Sequence, residues 1–543
     1  MVSLFSSLNI ASNALTVNES AISVVSHNVA NMNTEGYSKQ RVNLATRNIS
    51  GAIGDNVQAQ IRANGGVMIA NVTRYNDAYL NSYYRDQLSI LKEYEEKLGN
   101  IGDLADIFDD LEGTGISDAL ASFYEAVNNL NEYPASSTAR VNFIESAKTL
   151  TATLNAKSVQ LDELNAKALG DGKSLEALEN SKIYNQFEVF NNKLEELAEC
   201  NKALTITQTG TLEANNLLDR RDMILNEIAE FVDINIDEKP NGSVDLYVGG
   251  IAMVSGSVVT GELEIQTAEQ YCLSQDPPID YPNGWVTEDG KPRENAVLSI
   301  VNNSGETKQV VVSDANSIIN SGALGGMLHS ADLDADGMNV GIAQDKLNQI
   351  SQAIADLFNT LNTREGAYHI NPDNTNILSD ANKVNIFNVD ADGKTTAGTI
   401  SVNEELLTEK GCWLLSCAYF DPNGDTFDER AIGNAQNVVA MLGTRSQNLD
   451  GQNGIPDLGG MTIEDAYTSL LGKIAASGSN GQALVDTQGN VVDSIYNQIK
   501  SNNSVDLNEE LVDLVKYQTA YSAAAQVFNT CNACLDTLMS LGG

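Results

Sequence analysis

Both ends of this chain carry a narrow apolar stripe of the kind that a second helix completes. Near the N-terminus, Leu4, Leu8, Ala11, Leu15, Asn18, Ile22, Val25 and Val29 recur at alternating spacings of four and three. Near the C-terminus, Leu507, Leu511, Leu514, Gln518, Tyr521, Ala525, Phe528, Asn532, Leu535 and Met539 keep the same rhythm. That is a heptad a/d seam, which calls for a partner helix. Asp506, Glu509, Glu510 and Asp513 load the first turns of the C-terminal stretch, where the helix dipole favours negative charge. Two seamed helices at opposite ends predict a terminal coiled coil with the rest of the chain looped out between them. Two ordinary core helices are the alternative that a stripe pattern alone leaves open.

Composition narrows the class. The 543 residues with 42% hydrophobic content suffice for several cores. Seventy-three Asp and Glu against 32 Lys and Arg leave a formal net charge of -41, the wrong sign for wrapping nucleic acid or lying on anionic lipid. No apolar run approaches the roughly 18 residues of a membrane span. The first residues lack a charged segment followed by an unbroken apolar one, so a cleaved secretory signal is not expected. Cys200, Cys272, Cys412, Cys417, Cys531 and Cys534 are too scattered for a disulfide framework. Cys531-Asn-Ala-Cys534 has redox or zinc spacing, but inside the terminal helix it reads as two small residues flanking the seam.

Read in order, the first helix should stop within Ser26–Tyr37, where asparagines compete for the backbone and Gly36 permits positive φ. Gln40–Thr46 and Val57–Val72 read as short strands around Asn64-Gly65-Gly66. A long helix with Leu91, Tyr94, Leu98, Ile101, Ala105 and Phe108 inward follows, with a bend or break expected at Gly99 and Gly102. Further helices are expected at about 116–130, 137–167 and 174–203. After Leu217–Phe231 the period changes from 3.6 to 2, and Ile234, Ile236, the Pro240-Asn241-Gly242 turn, Val244, Leu246 and Val248 predict a β-hairpin. A β-rich module runs on to about residue 321. Helix resumes with Ala343, Leu347, Ile350, Ile354, Leu357 and Leu361, and a second small β-rich insertion spans 367–428. Helices are then expected at about 430–442, 462–477 and 486–500.

Asn28-x-Ala30-Asn31-x-Asn33-Thr34-x-Gly36-Tyr37 resembles the N-terminal signature of the bacterial flagellar axial proteins, the rod, hook and hook-associated subunits. The stretches Asn64–Val67, Arg74–Tyr79 and Arg85–Leu88 are similar to the hook-associated members of that family. So are Pro134-x-Ser136-x-x-Ala139-Arg140 and the helix-to-hairpin run Leu217–Gly250. The 367–428 module is short for them. The resemblance implies a mainly α, elongated, multidomain chain with β insertions. Residues 1–37 with 501–543 would form a terminal, channel-lining coiled coil. Residues 38–232 with 322–366 and 429–500 would form a helical bundle, and 233–321 and 367–428 β-rich outer parts. It implies a structural role joining hook to filament, with copies of the chain in a ring. Hook subunits, the second junction protein or the filament would be its neighbours, and an export chaperone would bind the C-terminal helix. The location implied is extracellular, on the flagellum. The terminal stripes would stay unsatisfied until neighbouring subunits arrive, as in coupled folding and assembly. Another axial protein would share Asn28–Tyr37 but lack the Leu217–Gly250 run; an adhesin or hydrolase would need a functional cleft.

No catalytic constellation asks for another reading. Asp332-x-Asp334-x-Asp336-Gly337 imitates half a calcium loop, but Ala343 stands where the bidentate acid belongs, and Thr399 does so after Asp390-x-Asp392-Gly393. His27, His329 and His369 show no metal-ligand spacing. There is no Gly-x-Ser-x-Gly elbow, no Walker loop and no His-Glu-x-x-His, and Gly472-Lys473 lacks the first glycine of a phosphate loop. Neither enzyme activity, metal nor cofactor is expected. Asn18, Gln518 and Asn532, polar residues within the seams, are expected to fix register.

Overall fold

Long striped segments become long helices, and the chain ends where it began. A computed structural model describes residues 2–48, 64–109, 115–170, 175–267, 272–273, 296–302, 307–309, 319, 321–329, 337–451 and 456–541. Helix α1 (Val2–Asn31) leads into an antiparallel pair, β1 (Gln40–Asn48) and β2 (Asn64–Arg74), with Val42 opposite Val72. Helices α2 (Ala78–Phe108), α3 (Ile116–Glu132), α4 (Ser137–Leu169), α5 (Leu175–Glu179), α6 (Lys182–Ile206) and α7 (Leu212–Phe231) follow. The final two helices are α11 (Ile463–Asn503) and α12 (Leu507–Leu541). Helix α12 lies antiparallel along α1, with Glu510 at Asn28 and Tyr517 against the Ala21–Val24 turn. Helix α11 lies antiparallel along α2, with Tyr496 at Tyr84 and Tyr467 at Phe108.

The predicted hairpin is present: β3 (Asn235–Glu238) pairs with β4 (Val244–Val248), Ile236 opposite Leu246. Gly242 at φ 86° makes its turn. Strands β5 (Ile251–Ser255) and β6 (Val258–Val259) extend this sheet, and β7 (Gly261–Thr267), β8 (Ala296–Asn302) and β9 (Thr307–Gln309) form a second. Helices α8 (Gly322–Leu328) and α9 (Val340–Thr363) return the chain to the helical body. Strands β10 (Ala367–Asn371), β11 (Asn374–Ser379) and β12 (Ser416–Tyr419) make a sheet with β10 central. Helix α10 (Gln436–Gly443) and the small pair β13 (Leu449–Asp450) and β14 (Asp457–Met461) complete the chain.

Two large apolar cores result. The first gathers the end of α2, α3, α4, α9, α10, the start of α11 and the segment from Ile386 to Cys417. Phe123, Phe143, Phe358 and Phe387 pack there in edge-to-face and tilted pairs, the ring centroids of Phe123 and Phe358 lying 4.9 Å apart. The second core gathers α6, α7, β3–β5, Leu263, Ile319 and α8. A third, much smaller cluster of Ala21, Val24, Val42 and Val72 sits under the terminal helices.

Several boundaries differ from expectation for local reasons. Gly99 and Gly102 do not break α2, which runs as one helix of 31 residues. The predicted 462–477 and 486–500 helices are one helix of 41 residues. Each borrows from the other: tertiary pairing carries a helix through residues of poor propensity. The predicted 174–203 helix is two helices, because Ser181 accepts a hydrogen bond from the Tyr184 amide and starts α6 afresh. The 430–442 helix shortens to α10, since Asp428 and Asn434 turn the chain just before it. Asp390 accepts from the Asp392 and Lys394 amides, so its carboxylate closes a turn. Asp332, Asp334 and Asp336, and the 57–63 part of the predicted strands, lie outside the described residues. Among the described residues, no helix is long and apolar enough to cross a membrane, and no group of His, Cys, Asp and Glu is set to hold a metal ion. All six cysteines are free thiols, and only Cys534 is exposed.

Candidate functional site

The site worth building is the place where the N-terminal signature, the C-terminal helix and α7 meet. After Asn31 the chain makes two successive turns, Thr34 N–H donating to the Asn31 carbonyl at 2.9 Å and Tyr37 N–H to that of Thr34 at 3.3 Å. Gly36 takes φ 74°, and a Cβ there would run into the Met223 side chain. The positive φ favours glycine, and any larger residue would also have to displace the flexible Met223 side chain.

These turns bring Tyr37 back onto Asn28, which is 1% exposed. The Asn28 amide is saturated. Its Nδ2 donates to the Gln40 carbonyl at 2.8 Å and to Glu510 Oε2 at 3.0 Å. Its Oδ1 accepts from the Gln40 amide at 3.0 Å and from the Tyr37 hydroxyl at 2.7 Å. The Tyr37 hydroxyl has one proton and gives it to Asn28, so it accepts from His27 Nδ1–H at 3.0 Å. Burial, then the Asp219 and Glu510 carboxylates, push the Tyr37 pKa up, which keeps that proton in place.

Glu510 is the C-terminal half of this lock, only 3% exposed although it lies in the first turn of α12. Lys39 reaches Glu509 at 2.6 Å and Glu510 at 3.4 Å. Burial works against the Lys39 charge, but the two glutamates outweigh it and raise its pKa. The Lys39 backbone amide donates to the Asn503 carbonyl at 3.0 Å, satisfying one of the orphan acceptors at the end of α11.

Helix α7 supplies the second half. Asn215, Asp219, Asp222 and Asn226 are spaced four, three and four apart, a polar stripe opposite the apolar Ile224, Leu225 and Ile228. Asn215 donates to the Gln40 side chain and to the Val72 carbonyl, both at 3.0 Å. Asp219 accepts from the Ser38 amide at 3.2 Å and from Arg74 at 2.9 Å. Asp222 accepts from Arg74 at 2.7 Å, Arg85 at 3.4 Å and Arg221 at 2.7 Å. Asn226 accepts from Arg85 Nε at 2.9 Å. Burial raises the Asp219 pKa against the pull of Arg74. At Asp222 burial also opposes the charge, but Arg74, Arg221 and Arg85 together hold the pKa down. The polar residues of this one helix face together hold β1, β2 and α2, and Arg74 and Arg85 are each shared by two of them.

A polar cleft of about 490 Å³ opens beside the network between residues 32–38, Tyr84, Met223, Tyr496 and Lys500. Asp219 and Asp222, which border it, are both tied to guanidinium groups. This geometry joins segments rather than poising a nucleophile beside a base.

The predicted stripes lie along the edge of the terminal helix pair. Ala11 and Val25 are buried, while Leu4, Leu8, Leu15, Asn18, Ile22 and Val29 are half-buried. In α12, Leu514, Ala525, Phe528, Asn532 and Leu535 are half-buried, and Leu507, Leu511, Gln518, Tyr521 and Met539 are exposed. The other buried positions fall one residue earlier than the stripes: Val17, Ala21, Val24 and Asn28 in α1, and Glu510 and Cys531 in α12. The two terminal helices are therefore closed on each other within one chain, and part of each apolar stripe still faces outward. Of the signature, Asn28, Asn31, Gly36 and Tyr37 have roles in the turns and the lock; Thr34 joins the first turn. Ala30 and Asn33 are exposed. Glu510, Gln40, Arg74, Arg85, Asp219 and Asp222 were not singled out as site residues beforehand. The signal that could have found the last two is the polar 4-3-4 stripe within an otherwise amphipathic α7.

Three family models match the chain. The "Flagellar hook-associated protein FlgK helical domain" matches residues 101–371, the "Flagella basal body rod protein" family residues 8–37, and the "Flagellar basal body rod FlgEFG protein C-terminal" family residues 501–541. The chain is 24% identical to flagellar hook-associated protein 1 of Bacillus subtilis, over 100% of both chains. It is 24% identical to the Salmonella typhimurium protein of that name, over 98% of this chain and 99% of the relative, and equally so to that of Escherichia coli. The fold is similar to that of the flagellar hook junction protein FlgK from Burkholderia pseudomallei, with a TM-score of 0.55 and 12% identity. That likeness covers 78% of this chain and 100% of the other.

Proposed function

The chain belongs to the flagellar axial proteins, among relatives of hook-associated protein 1, and on that premise we propose that it is a structural subunit joining hook to filament. Copies of the chain form a ring at the hook tip, held through the terminal helices. Residues 1–37 with 501–543 make the inner, channel-lining unit, and the larger cores stand outside it. Hook subunits lie on one side, and the second junction protein or filament on the other. An export chaperone covers α12 before assembly, and the mature subunit works outside the cell without catalysing a reaction.

The observation that carries this reading is the apolar surface that α12 leaves uncovered. Leu507, Leu511, Val512, Val515, Tyr521, Val527, Leu538 and Met539 are between 38% and 75% exposed, although α12 packs along α1. So many exposed apolar side chains on one helix mark a surface that another protein covers. The stripe residues Leu514, Phe528 and Leu535, half-buried at the edge of the pair, are in place to be finished by a neighbour.

Deleting Ser504–Gly543 tests the reading. The truncated protein should remain soluble with both large cores folded, because neither core draws on α12, and cells carrying it should be non-motile with no label at the hook tip. Motile cells with that truncation would overturn it.

A further inference from the structure

The two large cores share no residue, yet long helices run from one to the other. The end of α2 enters the first core through Leu104 and Phe108. Its beginning is bound to the second body by Arg85–Asp222 and Ser89–Ser321 contacts. Helix α11 starts in the first core and continues along the beginning of α2, where Val492 packs on Leu88 and Leu91.

Between those anchorages fewer side chains hold the pair. No side chain of α2 between Leu91 and Leu104 is fully buried, and none of α11 between Ile474 and Val492. Near one end Val485 packs on Leu88 and Leu91 and Gln488 donates to Gln87, and Gly326 of α8 lies on Glu93 and Glu96 of α2. The stretch contains Gly99 and Gly102 in α2 and Gly478, Gly481 and Gly489 in α11. Glycine in a helix pair is ordinarily explained by close backbone approach, and that explanation fails at most of these positions. A Cβ at Gly99, Gly102 or Gly489 would meet nothing within 4 Å, and at Gly478 only Ile101, at an ordinary 3.6 Å. Each glycine still lowers helix stability relative to alanine. A cleft of about 380 Å³ opens at the same level beside Leu98, Ile101 and Gly481, and the Asn100 amide nitrogen that borders it has no hydrogen-bond partner.

We propose that the middle of the α2–α11 pair is a hinge, through which the body built on the first core changes its angle relative to the second body and the terminal helices. The helices stay paired at both anchorages and open locally between them. The hinge is a property of the single subunit and does not depend on the assembly reading.

Hydrogen exchange on the full chain tests it. Amides of 475–491 should exchange at least about tenfold faster than those of 463–474 and 492–503 on the same helix. A Gly99→Ala, Gly102→Ala, Gly489→Ala variant, whose new methyl groups enter open space, should slow exchange of the middle stretch by roughly tenfold or more. Spin labels at Val189→Cys and Val439→Cys, exposed positions on the second and first bodies, placed in a Cys534→Ser background, should give a distance distribution that narrows in the triple-alanine variant. Uniform protection along α11, or the same distribution width with and without the alanines, would overturn the hinge.

Discussion

Asp222→Asn probes the polar network at its most convergent point. Three guanidinium groups reach this carboxylate, Arg74 and Arg221 at 2.7 Å and Arg85 at 3.4 Å. Asparagine keeps the shape and one acceptor oxygen, but it removes the charge and turns an N–H toward groups that can only donate. Taking away one partner of a buried ion pair costs about 3–5 kcal/mol, because the remaining charge stays buried. Two of the three guanidiniums keep another carboxylate: Asp219 still holds Arg74, and Glu238 still holds Arg221. Arg85 keeps only its hydrogen bond to Asn226. The expected loss is therefore at the lower end, about 3 kcal/mol. Urea-dependent hydrogen exchange of α1, β1 and α12 should show the opening midpoint falling by about 1 M, at a slope of about 3 kcal/mol per molar. Lys516→Ala, which removes an exposed pair with Asp513, is the control and should cost at most about 1 kcal/mol. The pH dependence has a definite sign. The folded Asp222 pKa is depressed, so its contribution is complete above the unfolded carboxylate value and is lost as pH falls through the lower folded one. The gap between wild type and variant should hold steady from about pH 5 to 8 and close only below about pH 4. A midpoint shift no larger than that of Lys516→Ala would refute the claim that this network holds the terminal unit to α7.

Two further substitutions follow from the same geometry. Asn28→Asp keeps the size but sets a carboxylate against the Gln40 carbonyl and Glu510 Oε2, now 2.8 and 3.0 Å from a donor. It should destabilise α1 by about 2–3 kcal/mol, seen as faster exchange in α1 and α12 while the two large cores keep their protection. His369 is 1% exposed, and burial, then the positive Arg140 and Lys383, lower its pKa from 6.5 to about 4. The folded state binds fewer protons there than the unfolded one, so stability should fall by about 3 kcal/mol as pH drops from 6.5 to 4. His369→Asn should flatten that slope in urea titrations at pH 7 and pH 5.

Features that depend on near neighbours were legible in the chain itself. The stop of α1 at Asn31, the hairpin around Gly242 and the existence of long helices at both ends all rest on residues within a few turns of one another. Features that depend on distant partners were not. Glu510 looks like its neighbours Asp506, Glu509 and Asp513 until the fold sets it beside Asn28, 482 positions away. The continuity of α11 through Gly478, Gly481 and Gly489 reflects α2 lying alongside, which no local propensity contains. The stripes show the same division: their period was plain, but the buried line of α1 at Ala21 and Val24 packs on Val42 and Val72 of the β1–β2 pair, partners far along the chain.

That division also explains why the terminal unit is held by polar contacts. Helices α1 and α12, of 30 and 35 residues, meet β1 and β2 at a cluster of four buried apolar residues, with only the small apolar side chains of Ala11, Val17, Val25 and Cys531 buried besides among the described residues of the two helices. Burying the remaining apolar positions within the chain would stabilise the isolated subunit but leave no outward apolar surface for a neighbour. Hydrogen bonds and ion pairs supply attachment without consuming that surface, and they are directional, so they also set the angle at which the helices leave α7. Asn28 with its saturated amide, Lys39 on Glu509 and Glu510, and Arg74 across Asp219 and Asp222 join five chain segments in this way. A unit oriented by polar contacts and left apolar on the outside has a defined direction of attachment. On the proposed function, a subunit attached at its ends needs compliance elsewhere, and the glycine-rich middle of α2 and α11 lies between those ends and the first core.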